Sequence, residues 1–234
     1  MATLLPDAPP RSHTFDGLAD EIIQYALKYA RIVTARRGET LTHQGERADR
    51  IFVVREGYAK MVSTSEEGHD ILIGIAGPRD VFGHAAMADQ PRNYLVTSTA
   101  LTPVTAATWD RAKAMAIAQE YPEVHKRIDA QLIGNLEAIL RRLHTVTEGR
   151  VSQRLARALL ELADRHGTPD AMGIMIAPPM TRQDLAAIVG TTLFTASRLL
   201  SDWEDQGLVE SSRARVCLRS VEGLRLLATE PAEE

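Results

Sequence analysis

One cysteine, two tryptophans and four phenylalanines are all that a chain of 234 residues carries of those types. The lone Cys217 excludes an intrachain disulfide, and with it any cysteine-ligated zinc or iron–sulfur centre built from one chain. No stretch approaches the roughly 18 uninterrupted apolar residues that a membrane span needs. The opening MATLLPDAPPR has neither a basic start nor an apolar run of signal-peptide length. Residues 1–17 are therefore expected to form a flexible leader, and the protein to be cytoplasmic with no membrane partner. Positive charge is not in excess either. A net charge of −4 argues against a protein that coats nucleic acid without regard to sequence, yet leaves room for a local basic patch. No phosphate-cradling glycine loop, nucleophile–base pairing or metal cluster is present, and the seven histidines form no i, i+4 pair. An enzyme, or a metal site, is not expected.

What is present divides into three. A hydrophobic content of 44% and a charged content of 25% suffice for real cores. The segments RIFVVREG (50–57), YAKMVST (58–64), DILIGIAG (70–77) and LVTSTALTPVTAAT (95–108) are rich in Val, Ile, Leu and Thr. Glycines at 38, 45, 57, 68, 77 and 83 punctuate them. Short strands with frequent turn signals predict a compact barrel or roll. LADEIIQYALKYARIV (18–33) has an amphipathic helical period and is expected to pack on its end.

From about Tyr121 the pattern becomes helical. Leu132, Leu136, Ile139, Leu143 and Val146 are spaced four, three, four and three apart, as in a coiled-coil seam. Such a narrow seam suits a partner helix, the alternative being burial within its own domain. TEGR (147–150) breaks the run and is a hinge candidate. Beyond it, SQRLARALLELADRHG reads as a helix with Gly167 as its C-cap, followed by a loop containing APP.

Thr181 and Asp184 have the spacing of a variant capping box before RQDLAAIV, whose Leu185, Ile188 and Val189 face inward. Gly190 suits a tight turn. Thr192 can cap a second helix with Leu199, Leu200 and Trp203 on its inner face. Two short helices joined by a Gly-containing turn form the bihelical DNA-binding unit. SSRARVCLRS then reads as a hairpin with Arg213 and Arg215 near its tip. Cys217 is expected to face opposite to Val216 and Leu218, either as an exposed redox-sensitive thiol or as an inert small residue.

TRQDLAAIVGTTLFTASRLLSDWEDQGLVE resembles the C-terminal domain of the Crp/Fnr superfamily of transcription regulators. RGETLTHQGERADRIFVVREGYAKM and GPRDVFG resemble that family's cyclic-nucleotide-binding β-roll. The resemblance covers nearly the whole chain, its two motif sets standing in the family order. It implies an α+β protein: a leader (1–17), an antiparallel β-roll sensory domain (18–118), a dimerisation helix and hinge (119–149) and a winged helix-turn-helix (150–234). It further implies a homodimer on two-fold symmetric double-stranded DNA, a shift of the DNA-binding domains about a hinge near Glu148–Val151, and RNA polymerase as a second partner. A ligand-binding signalling subunit, its winged domain serving as adaptor to a protein, is the alternative.

By the same resemblance, the family's two base-reading positions, usually Arg and Glu, fall on Leu193 and Phe194, and a later arginine falls on Arg198. Leu and Phe cannot form bidentate hydrogen bonds to a base, although they can pack on thymine methyl groups; either can instead fold back on the core. Arg198 becomes the candidate guanine reader, or else a solvated surface charge. Thr192, Thr195 and Ser197 are candidates for hydrogen bonds to phosphates or base edges. Thr181, Arg182, Arg213 and Arg215 are DNA-facing candidates, the arginines for phosphates. In cyclic-AMP-responsive members a Gly-Glu pair and an Arg-Ser pair bind the nucleotide; Gly83-His84 and Arg92-Asn93 stand there. The purine-contacting Thr-Ser pair becomes Ile139 and Leu140. These departures speak against cyclic AMP, Arg92 being either an anion partner or a plain surface residue. Some members ligate haem from the region of His84, but a lone histidine still needs a second ligand and a cavity. Other members bind DNA with no small-molecule effector.

Overall fold

The computed structural model describes residues 18–229 other than 69, 149 and 213, and for residues 141–148 the backbone alone. Its described part holds two compact units that divide between Glu137 and Ala138. No helix among the described residues is long and apolar enough to cross a membrane.

In the first unit, helix α1 (Asp20–Lys28) precedes strands β1 (Arg31–Ala35), β2 (Thr40–Thr42), β3 (Arg50–Glu56), β4 (Ala59–Thr64), β5 (Asp70–Ala76) and β6 (Val81–Phe82). A 3₁₀ turn (His84–Met87), β7 (Thr97–Ala100), β8 (Val104–Asp110) and helix α2 (Arg111–Glu120) follow. The strands form two antiparallel sheets, ordered β1-β8-β3-β6 and β2-β7-β4-β5. The apolar run IFVV makes β3 hydrophobic on both faces. Phe52 and Val54 point into the roll, where the Phe52 ring stacks on Phe82 at 4.7 Å beside Ala76 and Met61. Successive residues point to opposite faces. Ile51, with Val81, Ala107 and Trp109, therefore forms a second core with Ala26, Ile117, Val124 and Ile128 of the helices. Trp109 Nε1 donates to the Ala26 carbonyl at 2.7 Å and so ties α1 down.

The helical period expected over 18–33 stops at Lys28. Arg31–Ala35 instead pairs antiparallel with β8, Arg31 opposite Thr108 and Ala35 opposite Val104. The β-branched Ile32, Val33 and Thr34 favour that ladder, and tertiary pairing overrides the helical spacing. Of the six punctuating glycines, Gly38, Gly45, Gly57, Gly68 and Gly83 have left-handed φ.

Helix α3 (Pro122–Glu148) crosses the division between the units. The second unit continues with α4 (Val151–His166), β9 (Gly167–Asp170), β10 (Gly173–Ile176), α5 (Arg182–Val189), α6 (Leu193–Asp205), β11 (Val209–Ser212), β12 (Arg215–Leu218) and α7 (Val221–Thr229). Leu155, Leu159, Leu160, Met180, Leu185, Leu200, Leu218 and Leu224 are fully buried and form its core. Two expectations change here, and a third, Gly167 as the C-cap of α4, holds. The segment read as a loop after α4 contains the hairpin β9–β10, which extends the wing into a four-stranded sheet ordered β11-β12-β10-β9. Pro169 is tolerated because β9 is the outer strand. Gly167 does end α4, but with extended φ −77 and ψ 140 rather than a left-handed cap. A Cβ there would lie 2.2 Å from the Ala163 carbonyl oxygen, so close approach is what demands glycine. Cys217 is buried, as are Val216 and Leu218, because β12 is covered on both faces. Burial raises its thiol pKa, and the exposed redox-sensitive thiol drops out.

Candidate nucleic-acid interface

The turn between α5 and α6 follows from three side-chain choices. The Thr181 hydroxyl accepts the Asp184 backbone N–H at 3.0 Å, and the Asp184 carboxylate accepts the Thr181 N–H at 3.0 Å. This reciprocal pair closes the N-terminus of α5. Gly190, with φ +64 and ψ 49, ends α5 in the left-handed region that a β-carbon disfavours. The Thr192 hydroxyl then accepts the Thr195 N–H at 3.1 Å and lies 3.0 Å from the Thr195 hydroxyl, opening α6.

Along α6, Ala196, Leu200 and Trp203 are buried. At 3.6 residues per turn, about 100° per residue, Phe194 and Arg198 lie one turn apart on the opposite face, whereas Leu193 lies two turns before Leu200, at the exposed N-terminal edge of the inner face. Phe194 is 77% exposed and Leu193 47%. Phe194 therefore does not fold back onto the core. The Arg198 guanidinium is exposed and makes no hydrogen bond or ion pair with any described residue, and the same holds for the guanidinium of Arg215 at the start of β12. Ser197 and Thr195 are partly buried, and Thr192 is exposed. Arg213 lies outside the described residues.

The Arg182 guanidinium, expected to hold a phosphate, is engaged within its own unit. It donates to the Ser197 carbonyl at 3.3 Å, Ser201 Oγ at 3.4 Å, Glu204 Oε2 at 3.4 Å and Ser211 Oγ at 3.1 Å. Glu204 Oε1 accepts the Ser211 N–H at 2.8 Å and the Ser211 hydroxyl as well. Arg182 thus braces α5, α6 and β11 together and sets the wing against α6. Thr181 is likewise engaged as a cap. The capping box at Thr181 follows from the sequence, whereas the brace does not, because Ser211 and Glu204 lie 29 and 22 residues from Arg182.

In the first unit, Gly83 has φ +83, and a Cβ there would meet the Arg50 carbonyl oxygen at 2.7 Å. Both facts require glycine before the 3₁₀ turn. The turn carries His84, whose Nε2 is enclosed and has no hydrogen-bond partner among the described residues. Burial lowers its pKa from 6.5 to about 4, against the opposing pull of the Asp129 and Asp80 carboxylates. A neutral imidazole stands where the resemblance would place a nucleotide-binding carboxylate. Arg92 and Asn93 are exposed; the Arg92 carbonyl accepts the Ala48 N–H at 2.9 Å, and its guanidinium has no partner among the described residues. On α3, Ile139 is partly buried and Leu140 is 47% exposed. No group of three or more His, Cys, Asp or Glu residues able to hold a metal occurs among the described residues.

The expected seam on α3 is open at Leu132 and Leu136 and partly buried at Ile139. Leu132 and Leu136 are 48% and 53% exposed, joined by Ile133 and Leu140. The side chains of Leu143 and Val146 lie outside the described residues. Gln131, on the same helix, faces the roll: its carboxamide accepts the Val81 N–H at 3.3 Å and donates to the Val81 carbonyl at 3.0 Å.

A β-roll, a long helix and a helix-turn-helix with a β-wing, in that order, define a DNA-binding transcription regulator with a ligand-type sensory domain. Residues 32–121 match the cyclic nucleotide-binding domain family, and residues 153–227 the Crp-like helix-turn-helix domain family. The chain belongs to the Crp/Fnr superfamily of transcription regulators. It is 27% identical over 214 residues to a CRP-like cAMP-activated global transcriptional regulator of Mycobacterium tuberculosis, covering 92% of this chain and 95% of that one. It is also 27% identical over 195 residues to the cAMP-activated global transcriptional regulator CRP of Escherichia coli, covering 82% and 91%. Among solved structures, FixK2 from Bradyrhizobium japonicum shares the fold with a TM-score of 0.75 at 24% identity, over 87% of this chain and 99% of that one. The c-di-GMP responsive regulator CLP of Xanthomonas campestris does so with a TM-score of 0.73 at 18% identity, over 86% and 100%. These relatives are regulators and not enzymes.

Proposed function

We propose that the chain acts in the cytoplasm as a homodimer on a two-fold symmetric DNA site, each subunit placing the N-terminal half of α6 in the major groove. Arg198 is the hydrogen-bonding reader, directed at guanine O6 and N7, and Arg215 holds a phosphate. The observation that carries this reading is the exposed guanidinium of Arg198, without a partner among the described residues, on the outer face of a capped helix whose inner face is packed. The open apolar edge of α3 at Leu132 and Leu136 supports a partner helix there. Two such subunits would match a palindrome by their own symmetry.

The effector of the roll is something other than cyclic AMP, or none. A neutral, enclosed His84 supplies no carboxylate for a ribose hydroxyl, and Ile139 and Leu140 offer no side-chain hydrogen bond to a purine. Any effector acts by binding one arrangement of the DNA-binding units better than another, and RNA polymerase is the second partner where the protein activates. Selection from random duplexes followed by binding assays tests the reading. Arg198→Ala is expected to relax specificity at one base pair of each half-site and to cost about 1–3 kcal/mol for each base pair read. Unchanged affinity and unchanged preference would remove Arg198 from this role.

A further inference from the structure

We propose that Leu193 and Phe194 form an apolar reader of the C5-methyl groups of pyrimidines, which in an ordinary duplex are thymine methyls. The inference rests on the proposed placement of α6 in the major groove and names what its opening pair recognises there. Phe194, 77% exposed, buries little of its surface and Leu193, 47% exposed, about half, so the fold itself does not account for an aromatic side chain at this place. Phe194 shares its face with Arg198, one turn along, so a surface that meets one meets the other.

The surroundings select the occupant. Arg198 and Arg215 are cations without protein partners among the described residues, and Thr192 presents a hydroxyl at the same end of α6. The far end of the same face carries the exposed carboxylate of Asp205. Polarity therefore changes along the helix: its first two turns suit a polyanion and its last turn repels one. Major-groove base edges offer hydrogen-bond donors, acceptors and a single apolar group, the thymine C5-methyl. Side chains without a polar atom can gain only from that group. Leu and Phe in place of a hydrogen-bonding pair thus exchange a donor–acceptor reading for a methyl reading at the same depth of groove.

The test uses the full-length protein and the best duplex from random selection, its thymines replaced by deoxyuridine one symmetric pair at a time. Deoxyuridine lacks only the C5-methyl and keeps every hydrogen-bonding group. Removing a buried methyl group is expected to weaken binding about fourfold, hence about 16-fold for a symmetric pair. The same replacements are measured with the double variant Leu193→Ala, Phe194→Ala, which these exposures predict will fold normally. The penalty at the recognised pair should vanish in the variant, while penalties elsewhere persist. Specific binding with no penalty at any thymine pair, or a penalty of equal size in the variant, overturns the methyl reader and leaves the Arg198 reading in place. No specific binding to any duplex would instead overturn the placement of α6 itself.

Discussion

Acidification should loosen the β-roll through one side chain, His84, and the expected size follows from its surroundings. The residue is partly buried, its Nε2 is enclosed and has no hydrogen-bond partner among the described residues, and its pKa falls from 6.5 to about 4 because burial disfavours the cation. The Asp129 and Asp80 carboxylates favour the cation but do not overcome burial. His125 Nε2 lies 3.6 Å from Asp129 and competes for that carboxylate when protonated. The sign is that of a depressed histidine. The unfolded chain takes up the proton at about 6.5 while the folded roll resists until about 4. Stability is complete above the unfolded value, is lost between 6.5 and about 4, and falls no further below. The fall from 6.5 to about 4, at about 1.4 kcal/mol per tenfold, gives roughly 3.5 kcal/mol, about 300-fold in the opening equilibrium. Hydrogen exchange read by mass spectrometry on peptides spanning β3, β6 and the 3₁₀ turn measures it, at fixed protomer concentration and corrected for intrinsic rates. Protection in the wild-type roll should fall across this window, and in His84→Met that portion of the fall should be absent. Parallel pH curves for the two proteins would refute the reasoning, since they would mean that the imidazole reaches water or is protonated in place.

Salt dependence separates a brace from a phosphate anchor. Arg215→Ala should reduce the slope of log K against log salt by about 1 for each phosphate that the wild-type side chain neutralises. Arg182→Ala should leave that slope unchanged while lowering affinity through a displaced wing, because its donors are engaged by Ser197, Ser201, Glu204 and Ser211. A reduced slope for Arg182→Ala would return it to the DNA. Cys217, buried and with a raised thiol pKa, should react with a thiol reagent only on unfolding in urea. Rapid labelling of the native protein would contradict that burial.

The roll was legible because its turns need glycine: a left-handed φ at Gly38, Gly45, Gly57, Gly68 and Gly83 leaves a mark that no other residue makes as easily. The helix-turn-helix was legible for a similar reason, its caps Thr181, Gly190 and Thr192 being local devices written within a few residues of one another. Non-local decisions were not readable. Arg31–Ala35 continues a helical period and becomes a strand only because β8, some 70 residues later, is there to pair with it. GTPD at 167–170 is a poor strand former and is held as one by β10. Arg182 looks like any exposed arginine until β11 returns Ser211 to it, and Phe194 could be placed outward only once Ala196, Leu200 and Trp203 had fixed which side of α6 is inside.

The pairing of Gln131 with Val81 makes a side chain of α3 stand in for a β-strand. A carboxamide presents one acceptor and one donor at the spacing of a peptide group, so the outer edge of the two-residue strand β6 is closed by a helix. Ladder bonds are discrete, and a helix that completes one is indexed to the sheet as a gear tooth is to its notch. Turning α3 by even one residue, about 100°, breaks both bonds together and leaves the Val81 amide and carbonyl without these partners. The helix that leads to Glu148 is therefore registered against the very strand that leads into Gly83 and His84.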